Sequence, residues 1–345
     1  MKFVLRTSLL AVAAVSLAAC GSSSDSRDNV RAVGSSTVLP FAKKVAEEYA
    51  RANPELKAPI IESNGTGGGI ELFCAGVGTQ HPDIANASRR MKASEFETCQ
   101  KNGVTEITEI EVGLDGIAFA AAKDGIDIAL TPEQVYMALA ANPYGKKQTA
   151  TKWSDIDPSL PDIDILVYGP PETSGTSDAL KELILMPGCK SNADMAAMKE
   201  SDEERYEEIC TSLRTDGAYS KQGEQDNLIV KKLAQTPNAI GVFGYSYLEE
   251  NLGSLKGIAM NGVEPTYVNI ADFSYPGARP LFIYVKKQHI GAIPGLEGFL
   301  AQWGQMWGKD GPLTSIGLIA NPDDKGADMT SRLTALPTLD GTELK

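Results

Sequence analysis

Histidine is nearly missing from this chain: two in 345 residues, His81 and His289, far apart and without a cysteine at ligand spacing. A zinc cluster needs several such ligands at short intervals, so no metal centre is expected. The cysteines include no CxxC pair, and there is no GxSxG elbow to hold a serine nucleophile. The stretch from Gly169 to Gly175 looks superficially like a phosphate loop but has no lysine after its second glycine. Positive charge is also scarce, with 32 basic against 45 acidic residues and a net charge of -13, which disfavours nucleic-acid binding. No repeat of 20 to 50 residues excludes a solenoid, and the mature body has no low-complexity tract of the kind an adhesive surface protein carries.

Long apolar runs are missing too. The apolar stretch Leu9 to Ala19 spans eleven residues, too few to cross a bilayer as a helix. Behind Lys2 and Arg6 and ending in small residues, it reads as a signal peptide over residues 1–19. Residues Leu17-Ala18-Ala19-Cys20 resemble a lipobox, which implies that Cys20 is acylated and begins the mature chain. Residues 20–27 are polar and aperiodic, suited to a flexible tether. Removing the signal leaves 30 basic against 45 acidic side chains, so an anionic ligand has to be held by local donors. The expected location is the cell envelope outside the cytoplasm, lipid-anchored or periplasmic. Cys74, Cys99, Cys189 and Cys210 are an even set in an exported chain, and the shortest closed loops pair Cys74 with Cys99 and Cys189 with Cys210.

Helical spacing of Val38, Phe41, Val45 and Tyr49 predicts a helix ending before Asn53-Pro54. The strand-like Pro59 to Glu62 runs into Ser63-Asn64-Gly65-Thr66-Gly67-Gly68-Gly69, read as a turn, and then a helix from Ile70 to Val77. Asp83 to Ser88 reads as a strand, Ser94 to Glu97 as a capping box closed later by Gly103, and Thr131-Pro132 as a helix start. Ile165 to Tyr168 reads as a buried strand leading to a helix near Leu180. Such alternation belongs to α/β folds, and 326 mature residues favour two lobes.

Three segments place hydroxyls and glycines where a strand gives way to a helix: Gly34-Ser35-Ser36-Thr37, Thr66-Gly67-Gly68-Gly69 and Glu172 to Ser177. Exposed backbone N–H groups and the helix dipole make such termini anion sites, and glycine admits close approach. One terminus offers only two or three donors. Each charge-assisted hydrogen bond contributes roughly 1.5–3 kcal/mol, so several together reach the approximately 8 kcal/mol of micromolar binding.

The runs GSSTVLP, SNGTGGG, DIANASRR and VYGPPETSGTSDAL, with Gly223 to Asn227 and Ala239 to Tyr245 in the same order, resemble the phosphate-binding proteins of bacterial ABC phosphate importers. The resemblance implies a two-lobed type II solute-binding fold with the ligand in the cleft. Carried over by motif, the ligand contacts are Ser36, Thr37, Thr66, Ser88, Arg89, Ser174, Gly175 and Thr176. Two departures stand out. Where a well-known branch of the family has an aspartate that accepts the proton of hydrogen phosphate, this chain has Arg89; where that branch has an arginine, it has Pro170. Arg89 then replaces the missing guanidinium, Arg214 is a second basic candidate, and Glu172, Asp226 or Asp115 takes the ligand proton.

The expected lobes are residues 28–114 plus 273–345 and residues 115–272. The expected function is binding of inorganic phosphate by a monomer, without cofactor or catalysis, for delivery to a membrane permease. Alternatives are another tetrahedral oxyanion such as sulfate, or a phosphate-ester hydrolase.

Overall fold

The computed structural model describes residues 27–172, 174–222 and 227–344; the signal peptide, Cys20, the tether up to residue 26, and Asp226 lie outside them. The first pass of the chain forms β1 (Arg31–Gly34), α1 (Leu39–Ala52), β2 (Ile60–Ser63), α2 (Gly65–Cys74), β3 (Ile84–Ala87), α3 (Ala93–Lys101) and the long β4 (Ile107–Ala122). The middle of the chain forms α4 (Pro132–Leu139), α5 (Trp153–Ile156), β5 (Val167–Gly169), α6 (Gly175–Leu180), α7 (Met186–Lys190), α8 (Ala193–Ser201) and α9 (Glu203–Thr211). It continues through β6 (Tyr219–Lys221), α10 (Asn227–Leu233), β7 (Ile240–Gly244), α11 (Tyr245–Glu250), β8 (Leu255–Gly257) and α12 (Tyr267–Ala271). Finally come β9 (Ala278–Lys286), α13 (Leu296–Met306) and α14 (Asp323–Ala335).

Strand β4 belongs to two sheets. Residues Ile107 to Gly116 pair antiparallel with β9, which continues through β3, β1 and β2. Residues Ile117 to Ala120 pair with β7, Ala120 to Ala122 pair with β8, and β7 leads to β5 and β6. Period-two alternation on β9 explains how the first sheet is covered. Leu281, Ile283 and Val285 pack with Val45 of α1 and Phe299 and Trp303 of α13, while Phe282 and Tyr284 face Ile70 and Phe73 of α2. The second sheet has its own apolar core, with Phe119, Tyr136, Trp153, Leu180 and Phe243 at its centre. The expected two-lobed α/β architecture is therefore the one observed.

Local signals held where a cap or a periodicity carried them. In α1, Phe41, Ala42, Val45, Ala46 and Tyr49 are buried at helical spacing. Thr131 caps α4, its hydroxyl accepting from the Gln134 N–H at 3.2 Å while the Gln134 side chain accepts from the Thr131 N–H at 2.9 Å. Several boundaries differ from expectation: α2 ends at Cys74 rather than Val77, β5 runs Val167–Gly169 rather than Ile165 to Tyr168, and two helix starts are shifted. Helix α2 starts at Gly65, so the glycine run is its first turn rather than a loop before it. Packing constrains one position of the run, because a Cβ at Gly69 would lie 2.3 Å from Gly34 Cα and only glycine fits there against β1. Helix α3 starts at Ala93 with Glu95 in its first turn, its carboxylate accepting from the Lys92 N–H at 2.8 Å. That moves the expected box two residues towards the N-terminus.

Both cysteine pairings are present. Cys74–Cys99 joins α2 to α3 and Cys189–Cys210 joins α7 to α9. Beneath the other end of α2, fully buried Lys286 donates to Gly76 O, and His289 lies between Asp83 and Val77 O. The Lys286 ammonium thus lies beyond the carbonyl end of α2, the favourable end of the helix dipole for positive charge. Burial lowers the Lys286 pKa to about 7, with Asp83 opposing the shift. Between pH 7 and the unfolded value of about 10.4 the unfolded chain holds a proton that the native chain lacks, so this group makes stability rise with pH over that window. Urea titrations of wild type and Lys286→Met at pH 7 and pH 10 should show the rise only in the wild type. The Cys189→Ala/Cys210→Ala variant should lose about 3 kcal/mol of unfolding free energy in the same assay.

Candidate anion-binding site

Where β1 gives way to α1, Ser35 does the capping. Its hydroxyl accepts from the N–H groups of Thr37 at 3.2 Å and Val38 at 3.3 Å. The next two hydroxyls are thereby left for other partners. Ser36 Oγ donates to the Asp178 carboxylate, and Thr37 Oγ1 accepts from Arg279 Nη2 at 2.8 Å. At the head of α2, Thr66 Oγ1 lies 3.0 Å from Ser88 Oγ and accepts from the Ser88 N–H at 3.1 Å, joining the α2 terminus to the end of β3.

The third terminus comes from the other sheet. Ser174 caps α6, its hydroxyl accepting from the Thr176 N–H at 3.1 Å. A Cβ on Gly175 would sit 2.9 Å from Thr37 Cα, so the heads of α6 and α1 touch and only glycine permits it. Ser36, Thr37, Ser174, Gly175 and Thr176 therefore share one junction. Thr66, Ser88 and Arg89 line an adjoining cleft of about 590 Å³ together with Asp178 and Arg279.

Arg89 lies in this cleft, but its guanidinium is engaged by Glu95 through a bidentate pair at 2.9 and 2.7 Å. That hydrogen bonding raises its pKa further above the usual arginine value. Burial alone would raise the Glu95 carboxyl, yet Arg89 and the Lys92 N–H hold it below its ordinary value. The guanidinium closest to the junction is Arg279, only 4% exposed. Besides Thr37 it reaches Asp115 at 3.0 Å through Nε and Glu182 through Nη1. Sequence reasoning missed it. A lone arginine at the head of the apolar run Pro280 to Val285 was the available signal.

The carboxylates sort clearly. Asp115 accepts from Arg279 at the seam between the sheets. Glu172 is exposed and paired with Lys221, which lowers its pKa, and it does not line the cleft. Asp226 is outside the described residues. Asp178, in the first turn of α6, faces the cleft and was not anticipated. Arg214 is structural: it pairs with Asp216 and donates to Ala138 O and Ala150 O. Among the described residues no group of histidine, cysteine and carboxylate could hold a metal ion.

The contact between α6 and α1 is specific enough to test. Gly175→Ala should force the two helix heads apart, so small-angle scattering should report a larger radius of gyration than the parent with little change in melting temperature. An unchanged radius would mean that the touching termini do not set the spacing of the lobes.

Residues 21–301 match the PBP superfamily domain. The SphX protein of Synechococcus elongatus is 34% identical over 290 residues, covering 81% of this chain and 75% of that protein. The phosphate-binding protein PstS of Staphylococcus epidermidis is 30% identical over 291 residues, covering 81% and 77%. Among solved structures, a possible phosphate binding protein from Planctomyces limnophilus superposes with a TM-score of 0.72 at 26% identity, covering 89% of this chain and 98% of that one. An ABC-type phosphate transport receptor from Vibrio cholerae shares the fold at a TM-score of 0.56 and 20% identity, covering 85% and 99%. With a superfamily match over most of its length and relatives at this level of identity, the chain belongs to the PBP superfamily, in the family of the SphX and PstS phosphate-binding proteins.

Proposed function

We propose that this protein binds inorganic phosphate between its two lobes and hands it to the permease of an ABC transporter. The observation that carries this reading is the meeting of the α1 and α6 termini beside the α2 terminus, with a buried guanidinium between them. A dehydrated dianion needs about as many donors as water supplied, and neutral hydroxyls and backbone N–H groups at helix heads provide them without strong repulsion elsewhere. The ligand contacts in this reading are Ser36, Thr37, Thr66, Ser88, Ser174, Gly175 and Thr176, with Arg89 at the cleft wall and Arg279 as the central cation.

Discrimination against sulfate requires a carboxylate that accepts the proton of hydrogen phosphate and repels a fully ionised anion. Asp178 suits this role better than Glu172, because it already accepts a hydrogen bond from Ser36 in the cleft. Asp115 supports the site differently, by holding Arg279. The lobes in this reading are residues 28–114 plus 273–345 and residues 115–272, closing about β4 and the approach to β9. The mature protein begins at an acylated Cys20, acts outside the cytoplasm as a monomer and performs no catalysis.

Calorimetric titration of the mature protein tests the reading. The wild type should bind phosphate tightly and give no heat with sulfate at matched ionic strength. Asp178→Asn should admit sulfate, and Arg279→Lys should weaken phosphate binding roughly ten- to hundredfold, the loss of one charge-assisted bond. Comparable wild-type affinity for both anions would replace the reading with a general oxyanion carrier.

A further inference from the structure

Helix α6, the π-helical turn Lys181–Leu185 and α7 form one unbroken helical run beside the second sheet. One face of the run belongs to that sheet's core, where Leu180 and Ile184 are fully buried. Another face carries Gly175, Asp178 and Glu182, at the i, i+3 and i+7 spacing that stacks side chains along a single stripe. All three meet groups on the first sheet's side of the molecule. Gly175 touches Thr37, Asp178 accepts from Ser36 Oγ, and Glu182 accepts from Arg279 Nη1. Both members of each contact belong to the protein, so the stripe engages without a ligand. Arg279 also keeps room for an anion while it holds Glu182. A guanidinium has five N–H groups, and among the described residues three go to Asp115, Thr37 and Glu182. One N–H on each Nη is left.

We propose that Glu182 is a positioning residue that latches the two lobes together before phosphate arrives. The inference rests on the phosphate reading of the site and on the two-lobe division, and it adds the resting state of the protein: largely closed. Glu182 acts through Arg279 and is not one of the ligand contacts. Because its bond to Arg279 is compatible with an anion, the latch stabilises the closed form to the same degree with phosphate and without it. A contact that does not distinguish the two states leaves equilibrium affinity nearly unchanged. It slows both entry and exit, since each has to wait for opening. The Glu182 carboxylate is about half exposed, at 51%. Its pair with Arg279 is therefore a partly screened one, and its removal shifts the ratio of closed to open molecules severalfold without abolishing closure.

The test combines stopped-flow mixing of the mature protein with inorganic phosphate and small-angle scattering of the anion-free and phosphate-loaded forms. The variants are Glu182→Gln and Glu182→Lys, the second setting an ammonium against Arg279, with Glu203→Gln of α9 as a control carboxylate from the same cleft. Glu182→Gln should raise the association and dissociation rate constants each roughly fivefold and leave Kd within about twofold. The control should leave both rates within about twofold of wild type. In scattering, the anion-free wild type should contract little when phosphate is added, whereas Glu182→Lys should start with a larger radius of gyration and contract. Unchanged rates in both Glu182 variants would overturn the proposal, because the pair would then not hold the lobes. Weaker binding carried by the dissociation rate alone would overturn it too, by placing Glu182 among the ligand contacts. So would an anion-free wild type that contracts as much as Glu182→Lys. A wild type that binds no phosphate removes the phosphate reading but not the test of the latch: a larger anion-free radius for Glu182→Lys than for wild type supports it, and equal radii overturn it.

Discussion

Arg279 is the interaction on which the arrangement depends. It stands at the start of β9, opposite Asp115 of β4, where the strand shared by both sheets passes from one to the other. Its three partners come from three places: Asp115 at the seam, Thr37 before α1, and Glu182 in the π-helical turn that follows α6. A buried guanidinium is costly unless its whole fork is satisfied, and removing one partner leaves the other charges uncompensated. That requirement couples the position of the helix heads to the relation between the sheets. The position of the helix heads and the relation between the two sheets are therefore one problem, solved by one side chain.

Glycine makes the convergence sterically possible. Gly34 and Gly69 let the head of α2 lie directly on β1, and Gly175 lets the head of α6 reach α1. The donors brought together are mostly uncharged. In the proposed site they would offer an anion many directed bonds with little fixed positive charge in the interior, since Arg279 is itself paired with Asp115 and Glu182. The chain just past the opposite end of α2 is held too, with Lys286 and His289 set against the carbonyls of Gly76 and Val77.

Much of this was legible in the residues. Hydroxyl and glycine pairs at strand-to-helix junctions named the three termini, period-two and helical spacing named the elements around them, and cysteine spacing named both disulfides. What sequence could not supply was contact between distant segments. Arg279 is 242 positions from Thr37 and 164 from Asp115, so nothing local marked it as the cation at the junction. Arg89 was selected because it stands beside Ser88, yet six residues later Glu95 takes both arms of its guanidinium. Glu172 was selected for its proximity to Ser174, but Lys221 holds it at the surface. The glycine run was read as a turn because the apolar periodicity begins only at Ile70, whereas the helix already starts at Gly65 and Gly69 packs closely on Gly34.

The most direct test of the central claim is a crystal structure of the mature protein grown with inorganic phosphate. The account predicts one anion within hydrogen-bonding distance of residues from all three helix heads, Thr37, Thr66 and Ser174 among them, with Arg279 turned to it. An anion bound elsewhere, such as the cavity between α11 and residues 309–320, with water alone at the junction, would contradict it.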